Sequence, residues 1–289
     1  MNSSNDRPAS APPRIAIQGA AGAFHEIAAR RYHHHRDIAI VPMETFEDLV
    51  RSVERGHQSD GGMMAIENSI AGSLLYNYQL LDEADLHISG EVYLRIRHQL
   101  LALPGQSIAD LREVHSHPMA IAQCRPFFRK HPHIRLVERN DTAGSARWVS
   151  DGEHRGVGAI ASTLAGEQYG LEVIAPGIET NKKNYTRFLV LDHGPSQLDH
   201  PGAKVSVCLT TSHEPGSLHR VLEALLRAGA NLTKIQSMPI IGQEWHYRFF
   251  IDFTLADPLA FGATVDHLGV VTEDLKILGT YQTGAYHDS

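Results

Sequence analysis

Polar clusters recur in this chain where an apolar run stops and a helical pattern starts. Glu67, Asn68 and Ser69 close the apolar residues 63–66. Ser116, His117 and Pro118 precede a helical stretch that carries Gln123, and Asp141, Thr142, Ala143 and Gly144 open another. Thr186 and Arg187 head the apolar run 188–191. Much of the chemistry on offer is polar and uncharged. A threonine hydroxyl donates a hydrogen bond, and asparagine or glutamine both donates and accepts. A helix start presents free N–H groups and partial positive charge to an anion. Such a set suits a small anionic ligand held by hydrogen bonds. Each cluster also has a purely structural reading, with Thr186 as a strand former and the other polar residues as caps and turns.

Spacing sharpens some of these roles. Gln123 follows Ser116 by two helical turns, which predicts that both address one ligand. Glu67 could tune Thr186 or bind the backbone of a neighbouring loop. Strand alternation points Arg187 away from Thr186, which favours a brace at the sheet edge over a partner for a substrate carboxylate.

Composition narrows the class. The 289 residues are 42% hydrophobic and 20% charged, as in an ordinary soluble globular protein of two or three domains. A net charge of -7 and a pI near 6.2 argue against nucleic acid as a partner. The 2 cysteines, Cys124 and Cys208, form no CxxC, so neither a disulfide framework nor a thiolate metal site is expected. Histidine is abundant at 19 copies, yet its densest cluster is the consecutive His33, His34 and His35, whose side chains diverge on a helix. His115 and His117 lack a third ligand nearby. The histidines are read as surface polar residues and no metal or other cofactor is expected. No apolar run reaches a membrane span. Residues 1–13 lack the order of a signal peptide and read as a disordered leader of a cytoplasmic protein.

The elements that must carry these residues follow from periodicity. Residues 14–18, 38–41 and 63–66 read as strands, with helices over 24–32 and around Phe46, Leu49, Val50 and Val53 between them. This βαβαβ order predicts a largely parallel sheet covered by helices, with ligands at the strand ends. Residues 87–103 read as extended, and 134–138 and 157–161 as strands. A Gly/Pro/Ser/His/Asp-rich linker spans 192–202. Beyond it, strands over 205–210, 231–239, 245–253 and 275–281 and helices over 218–227 and from Pro258 make βαββαβ, a ferredoxin-like sandwich. Residues 245–253 alternate as a half-buried strand does.

The motifs carry a resemblance when taken in order: Ile66-Glu67-Asn68-Ser69-Ile70-Ala71-Gly72-Ser73, Ser116-His117-Pro118 with Gln123-Cys124, Asp141-Thr142-Ala143-Gly144-Ser145-Ala146, and Asn184-Tyr185-Thr186-Arg187-Phe188. From about Arg14 to Tyr281 the chain resembles prephenate dehydratases with a C-terminal ACT domain. The resemblance implies conversion of prephenate to phenylpyruvate, carbon dioxide and water by a monofunctional enzyme. It implies a two-lobed, periplasmic-binding-protein-like catalytic domain over 14–191, with lobe one at 14–90 plus 175–191 and lobe two at 91–174. Thr186, Asn68, Ser116, Gln123 and Glu67 become candidate catalytic residues, and Ser69, His117, Thr142, Ala143 and Arg187 candidate substrate contacts. The ACT domain, over 203–283, implies a homodimer or homotetramer holding phenylalanine near Gly216, Ser217, Leu218, Asn231, Leu232, Gln236 and Ser237. Here Gln236-Ser237-Met238-Pro239 stands where relatives commonly carry Glu-Ser-Arg-Pro, so charge is missing at two positions of that motif. Arogenate dehydration, on the amino-acid analogue of prephenate, and a non-enzymatic amino-acid sensor are the rival readings.

Overall fold

A computed structural model describes residues 11–194 and 204–289; the first ten residues of the expected leader and most of the expected linker lie outside the described residues. The first sheet begins with β1 (Arg14–Gln18), α1 (Phe24–Tyr32), β2 (Ala39–Met43), α2 (Phe46–Arg55) and β3 (Gly61–Asn68). The short β4 (Gly72–Ser73), α3 (Leu75–Glu83) and β5 (Leu86–Arg95) follow. Local chemistry sets the limits of α2. Thr45 caps it by accepting from the Asp48 N–H at 3.1 Å, and Gly56 ends it in the left-handed region at φ 61. Its periodic residues Leu49, Val50 and Val53 are buried, and Phe46 packs against the same core.

A second sheet holds β6 (Gln99–Ala102), β7 (Glu113–Ser116), β8 (Arg135–Glu138), β9 (Val157–Ala161) and β10 (Glu172–Ala175), in the order β10-β6-β9-β7-β8. Its helices are α4 (Pro118–Phe128), α5 (Thr142–Asp151) and α6 (Thr163–Gln168). The chain then returns through β11 (Tyr185–His193), which inserts antiparallel between β3 and β5. Two α/β lobes joined by returning strands are the periplasmic-binding-protein-like arrangement expected. The expected boundary at residue 91 is too early, because β5 pairs with β11 up to Arg95 and leaves the first sheet only afterwards. Ala175 still belongs to the second sheet, opposite Leu100.

The C-terminal unit runs β12 (Lys204–Thr210), α7 (Ser217–Arg227), β13 (Ala230–Pro239), β14 (Tyr247–Leu255), α8 (Phe261–Val271) and β15 (Asp274–Tyr281). This is the βαββαβ order, with antiparallel strands ordered β13-β14-β12-β15. The expected half-buried strand begins later, at Tyr247, since Trp245 turns out at φ 63 and is exposed. Its middle is also buried on both faces. Ile251 and Phe253 pack under the unit's own helices, while Phe250 joins Tyr78, Leu81 and Leu189 of the first lobe in one core. The sheet is therefore sandwiched, and a strand so placed loses its polar face. A final strand, β16 (Tyr286–Asp288), returns beyond the expected end of this unit to pair in parallel with β5.

Candidate active site

The β3–β11 register brings the first pair of polar residues together. Thr186 lies opposite Asn68 and Arg187 opposite Glu67, and an irregularity then shifts Phe188 to face Ala65. Cross-strand partners share a face, and successive residues alternate. Thr186 and Asn68 therefore face the cleft between the lobes, a cavity of about 320 Å3 also lined by His25, His98, Gln123 and Asp141.

The hydrogen bonds assign directions within this site. Asn68 Nδ2 donates to Thr186 Oγ1 at 2.9 Å, Asn184 Oδ1 at 2.8 Å and the Tyr185 carbonyl at 3.2 Å. Asn68 Oδ1 accepts from the N–H groups of Ile70 at 3.0 Å and Ala71 at 2.9 Å. Asn68 is thus spent on the protein. Because Thr186 Oγ1 accepts from it, the Thr186 O–H remains free to donate into the cleft. Gln123 is oriented in the same way. Its Oε1 accepts from Asn184 Nδ2 and pairs with His98 Nε2, both at 2.9 Å, which leaves its NH2 group as the free end. Asn184, fully buried, links the two residues. It belongs to the motif, but nothing local distinguishes it from a loop asparagine.

Helix starts complete the cavity. His117 caps α4, its Nδ1 accepting from the Met119 N–H at 3.2 Å. Asp141 caps α5, its Oδ2 accepting from the Gly144 N–H at 2.8 Å and, across the cleft, from the Ala20 N–H at 2.8 Å. Lobe contact is close here, since a Cβ on Gly22 would lie 2.7 Å from the Ala165 Cα. The Ser162 hydroxyl donates to the Gly22 carbonyl at 2.6 Å.

Three imidazoles line the cavity and none gains charge from it. Burial pushes His25 down to about 3 and lowers His117 and, against a raising bond from Gln123, His98. His25 keeps a solvent-reaching edge although protein surrounds its ring. That ring sits edge-on to Phe188 at 5.0 Å, and its Nε2 accepts from the Ala65 N–H at 3.3 Å, where the β3–β11 ladder is irregular. Asp141 stands in a sequence motif as a helix start, whereas His25 and His98 carry no sequence signal. These two histidines sit among ordinary helical or extended residues, and only the fold turns them inward.

Other expected site residues lie elsewhere. Ser116 is the last residue of β7, ahead of the helix, so the two-turn argument linking it to Gln123 fails; its hydroxyl donates to the Ile160 carbonyl at 2.7 Å. Glu67 points to the opposite sheet face and pairs with Lys234 at 3.0 Å. Ser69 staples the strand ends, accepting from the Tyr185 N–H at 2.9 Å and donating to the Lys183 carbonyl at 3.2 Å. Thr142 lines the cavity, while Ala143 is buried in the core of the second lobe. Arg187 is buried behind Thr186. It donates to Glu91 at 2.6 Å, to the Tyr281 hydroxyl at 2.9 Å and to Asp252. Several histidines are also not surface residues: His33 is buried, and buried His115 accepts from Arg139 Nε at 2.8 Å and stacks on Trp148. Among the described residues no group of three or more His, Cys, Asp or Glu is placed to hold a metal ion, and no helix is long and apolar enough to cross a membrane.

In the C-terminal unit, Ser217 and Leu218 line a cavity of about 350 Å3 with Thr211, His213, Trp245 and Tyr247. Gly216 starts α7 in the left-handed region at φ 85. Asn231, Leu232, Gln236 and Ser237 lie on β13 and do not reach that cavity within one chain.

The family model for prephenate dehydratase matches residues 15–196. The chain belongs to the prephenate dehydratase family. Arogenate dehydratase 2 of Petunia hybrida is 38% identical, over 93% of this chain and 71% of its own. A bifunctional N-acyl-homoserine lactone acylase/prephenate dehydratase of Komagataeibacter europaeus is 34% identical, over 94% and 96%. The crystal structure of prephenate dehydratase from Arthrobacter aurescens in complex with L-Phe superposes with a TM-score of 0.81 at 28% identity, over 93% of this chain and 90% of that one. The two-lobed frame that holds Thr186, Asn68 and Gln123 is thus shared with a prephenate dehydratase of known structure.

Proposed function

We propose that this protein catalyses the decarboxylating dehydration of prephenate, or of its amino-acid analogue arogenate, in the cleft between the lobes. The observation that carries the reading is the Asn68–Thr186 bond, 2.9 Å long, which leaves a hydroxyl donor aimed at the cavity. In the reaction the ring carboxylate leaves as carbon dioxide. Its bonding pair enters the ring and the C–O pair departs as hydroxide, which becomes water on protonation. The ring gains aromaticity, so expulsion of the poor leaving group sets the barrier. The Thr186 O–H hydrogen-bonds the departing oxygen as charge builds on it. Gln123 and the first turn of α4 hold a substrate carboxylate. The electrons balance within the substrate, so no redox cofactor takes part.

The C-terminal unit is proposed to be an ACT domain that binds phenylalanine. Support comes from its βαββαβ order, the cavity beside Ser217 and Leu218, and the L-Phe complex of the Arthrobacter relative. The exposed Leu232 and Ile235 on edge strand β13 fit a second copy of the chain. Purified protein should release phenylpyruvate from prephenate or phenylalanine from arogenate, with or without a chelator. Failure with both compounds sinks the reading.

A further inference from the structure

The charges lining the cleft are unusual for a site meant to hold a dianion. No lysine or arginine lines it among the described residues, and its imidazoles are disfavoured as cations by burial. The charged side chain that does line it is Asp141. The basic residue of the same loop, Arg139, is engaged outside the cleft, 3.9 Å over the Trp148 ring and bonded to His115.

The helix starts facing the cleft are consequently unlike. At α4 the cap is an imidazole, the Ala120 N–H has no acceptor among the described residues, and the Gln123 NH2 group is free beside it. That end offers donors to an anion. At α5 the equivalent position is already filled by the chain's own carboxylate. Asp141 Oδ2 takes the Gly144 and Ala20 N–H groups, each at 2.8 Å, while Oδ1 has no hydrogen-bond partner among the described residues. The small residues after Asp141, expected to admit a substrate carboxylate, instead close around this one.

A pocket that offers N–H donors to an anion and, from Asp141, a carboxylate oxygen with no donor of its own is complementary to an α-amino acid, which carries both a carboxylate and an ammonium. Prephenate carries two carboxylates and no cation, so it meets Asp141 with like charge. Arogenate keeps both carboxylates but replaces the keto oxygen by an ammonium, which lowers the net negative charge and supplies a partner for Oδ1. Inside a cleft of reduced dielectric, that difference outweighs its value in water. Resting on the dehydratase reading above, we propose that Asp141 is a specificity-determining residue that selects the amino-acid substrate over the keto acid.

The test is the ratio of kcat/KM for arogenate to that for prephenate. Asp141→Asn keeps a good helix cap and an acceptor for Ala20 and Gly144 while removing the charge. Asp141→Ser keeps the cap with a smaller side chain. Wild type should favour arogenate, and both variants should lower the ratio by about tenfold or more, mainly through loss on arogenate. A wild type that favours prephenate, or a ratio unchanged in either active variant, overturns the inference. Protein inert toward both compounds would defeat the assigned reaction instead. Calorimetric binding of the two compounds in a Thr186→Val background, where turnover is slowed, then decides the charge preference alone: tighter arogenate with Asp141 present, lost on adding Asp141→Asn, upholds it, and equal binding ends it.

Discussion

At the scale of single residues the site works by direction. A hydroxyl can donate or accept, and Asn68 settles which by donating to Thr186 Oγ1. Thr186→Val removes the donor and keeps the shape, so kcat should fall about 30- to 1000-fold with a smaller change in KM. Asn68→Asp tests the direction itself. A carboxylate only accepts, so the Thr186 proton would turn toward it and away from the cleft. Its kcat should fall nearly as far as that of Thr186→Val, and turnover at the wild-type rate would show that Asn68 does not orient the hydroxyl. His25 supplies a second test. Its folded pKa, pushed by burial to about 3, lies below the unfolded value, so the unfolded chain binds more protons as pH falls from about 6.5. The His25 contribution to stability should decline across that window and be lost near pH 3. Urea melts of His25→Gln should show a shallower decline from pH 7 to 5, and parallel slopes for variant and wild type would exclude the assignment.

At the scale of elements, β11 is the part on which everything converges. One face presents Thr186 to the cleft. The other sends Arg187 into a buried cluster where Glu91 also accepts from Lys204 Nζ at 2.9 Å, and Asp252 accepts from the Ser206 hydroxyl at 2.5 Å. Burial alone would discharge Arg187, but Asp252, Tyr281 and Glu91 outweigh it and raise its pKa well above the ordinary value. Removing one member of such a cluster strands its partners. Arg187→Met should cost about 3–5 kcal/mol in denaturant melts, and a change below about 1 kcal/mol would mean the cluster contributes little. The place of Ser116 on β7, ahead of the α4 cap, gives the opposite expectation for another pair. Ser116 serves the second sheet and Gln123 the cleft, so the effects of Ser116→Ala and Gln123→Ala on kcat/KM should add within about 0.5 kcal/mol. Coupling beyond that would restore the shared-ligand view.

At the scale of the whole molecule, the C-terminal sheet is packed onto the first lobe rather than tethered beside it. Met238 packs against the core shared with Leu49 and Leu189. Its apolar character therefore has a packing reason, and Met238→Arg should destabilise the fold instead of restoring a ligand contact. The β13 residues and the cavity beside Ser217 do not meet within one chain, so phenylalanine binding should need a partner's strand. Ile235→Glu, on the exposed face of β13, should lower both self-association in light scattering and phenylalanine affinity in calorimetry. Full affinity in a monomeric variant would separate the two.

Much of this architecture is legible in the sequence because periodicity is local. The βαβαβ start, the helix start at Asp141 and the C-terminal βαββαβ order follow from alternation, helical spacing and turn residues, and the motif set carries the family resemblance. Thr186, Asn68 and Gln123 were chosen on residue type and context, and the fold brings them together in one cavity. What the tertiary structure decided is orientation and partnership. Ser116 closes β7 ahead of the His117 cap of α4 and stays out of the cleft, and strand parity sent Glu67 and Arg187 to the far face. His25, His98 and Asn184 entered the site only because distant elements pack there. Asp141 filled a helix start that sequence alone offers to a ligand. Such contacts join residues as far apart as Ala20 and Asp141, and no local pattern encodes which N–H a carboxylate will reach across a cleft.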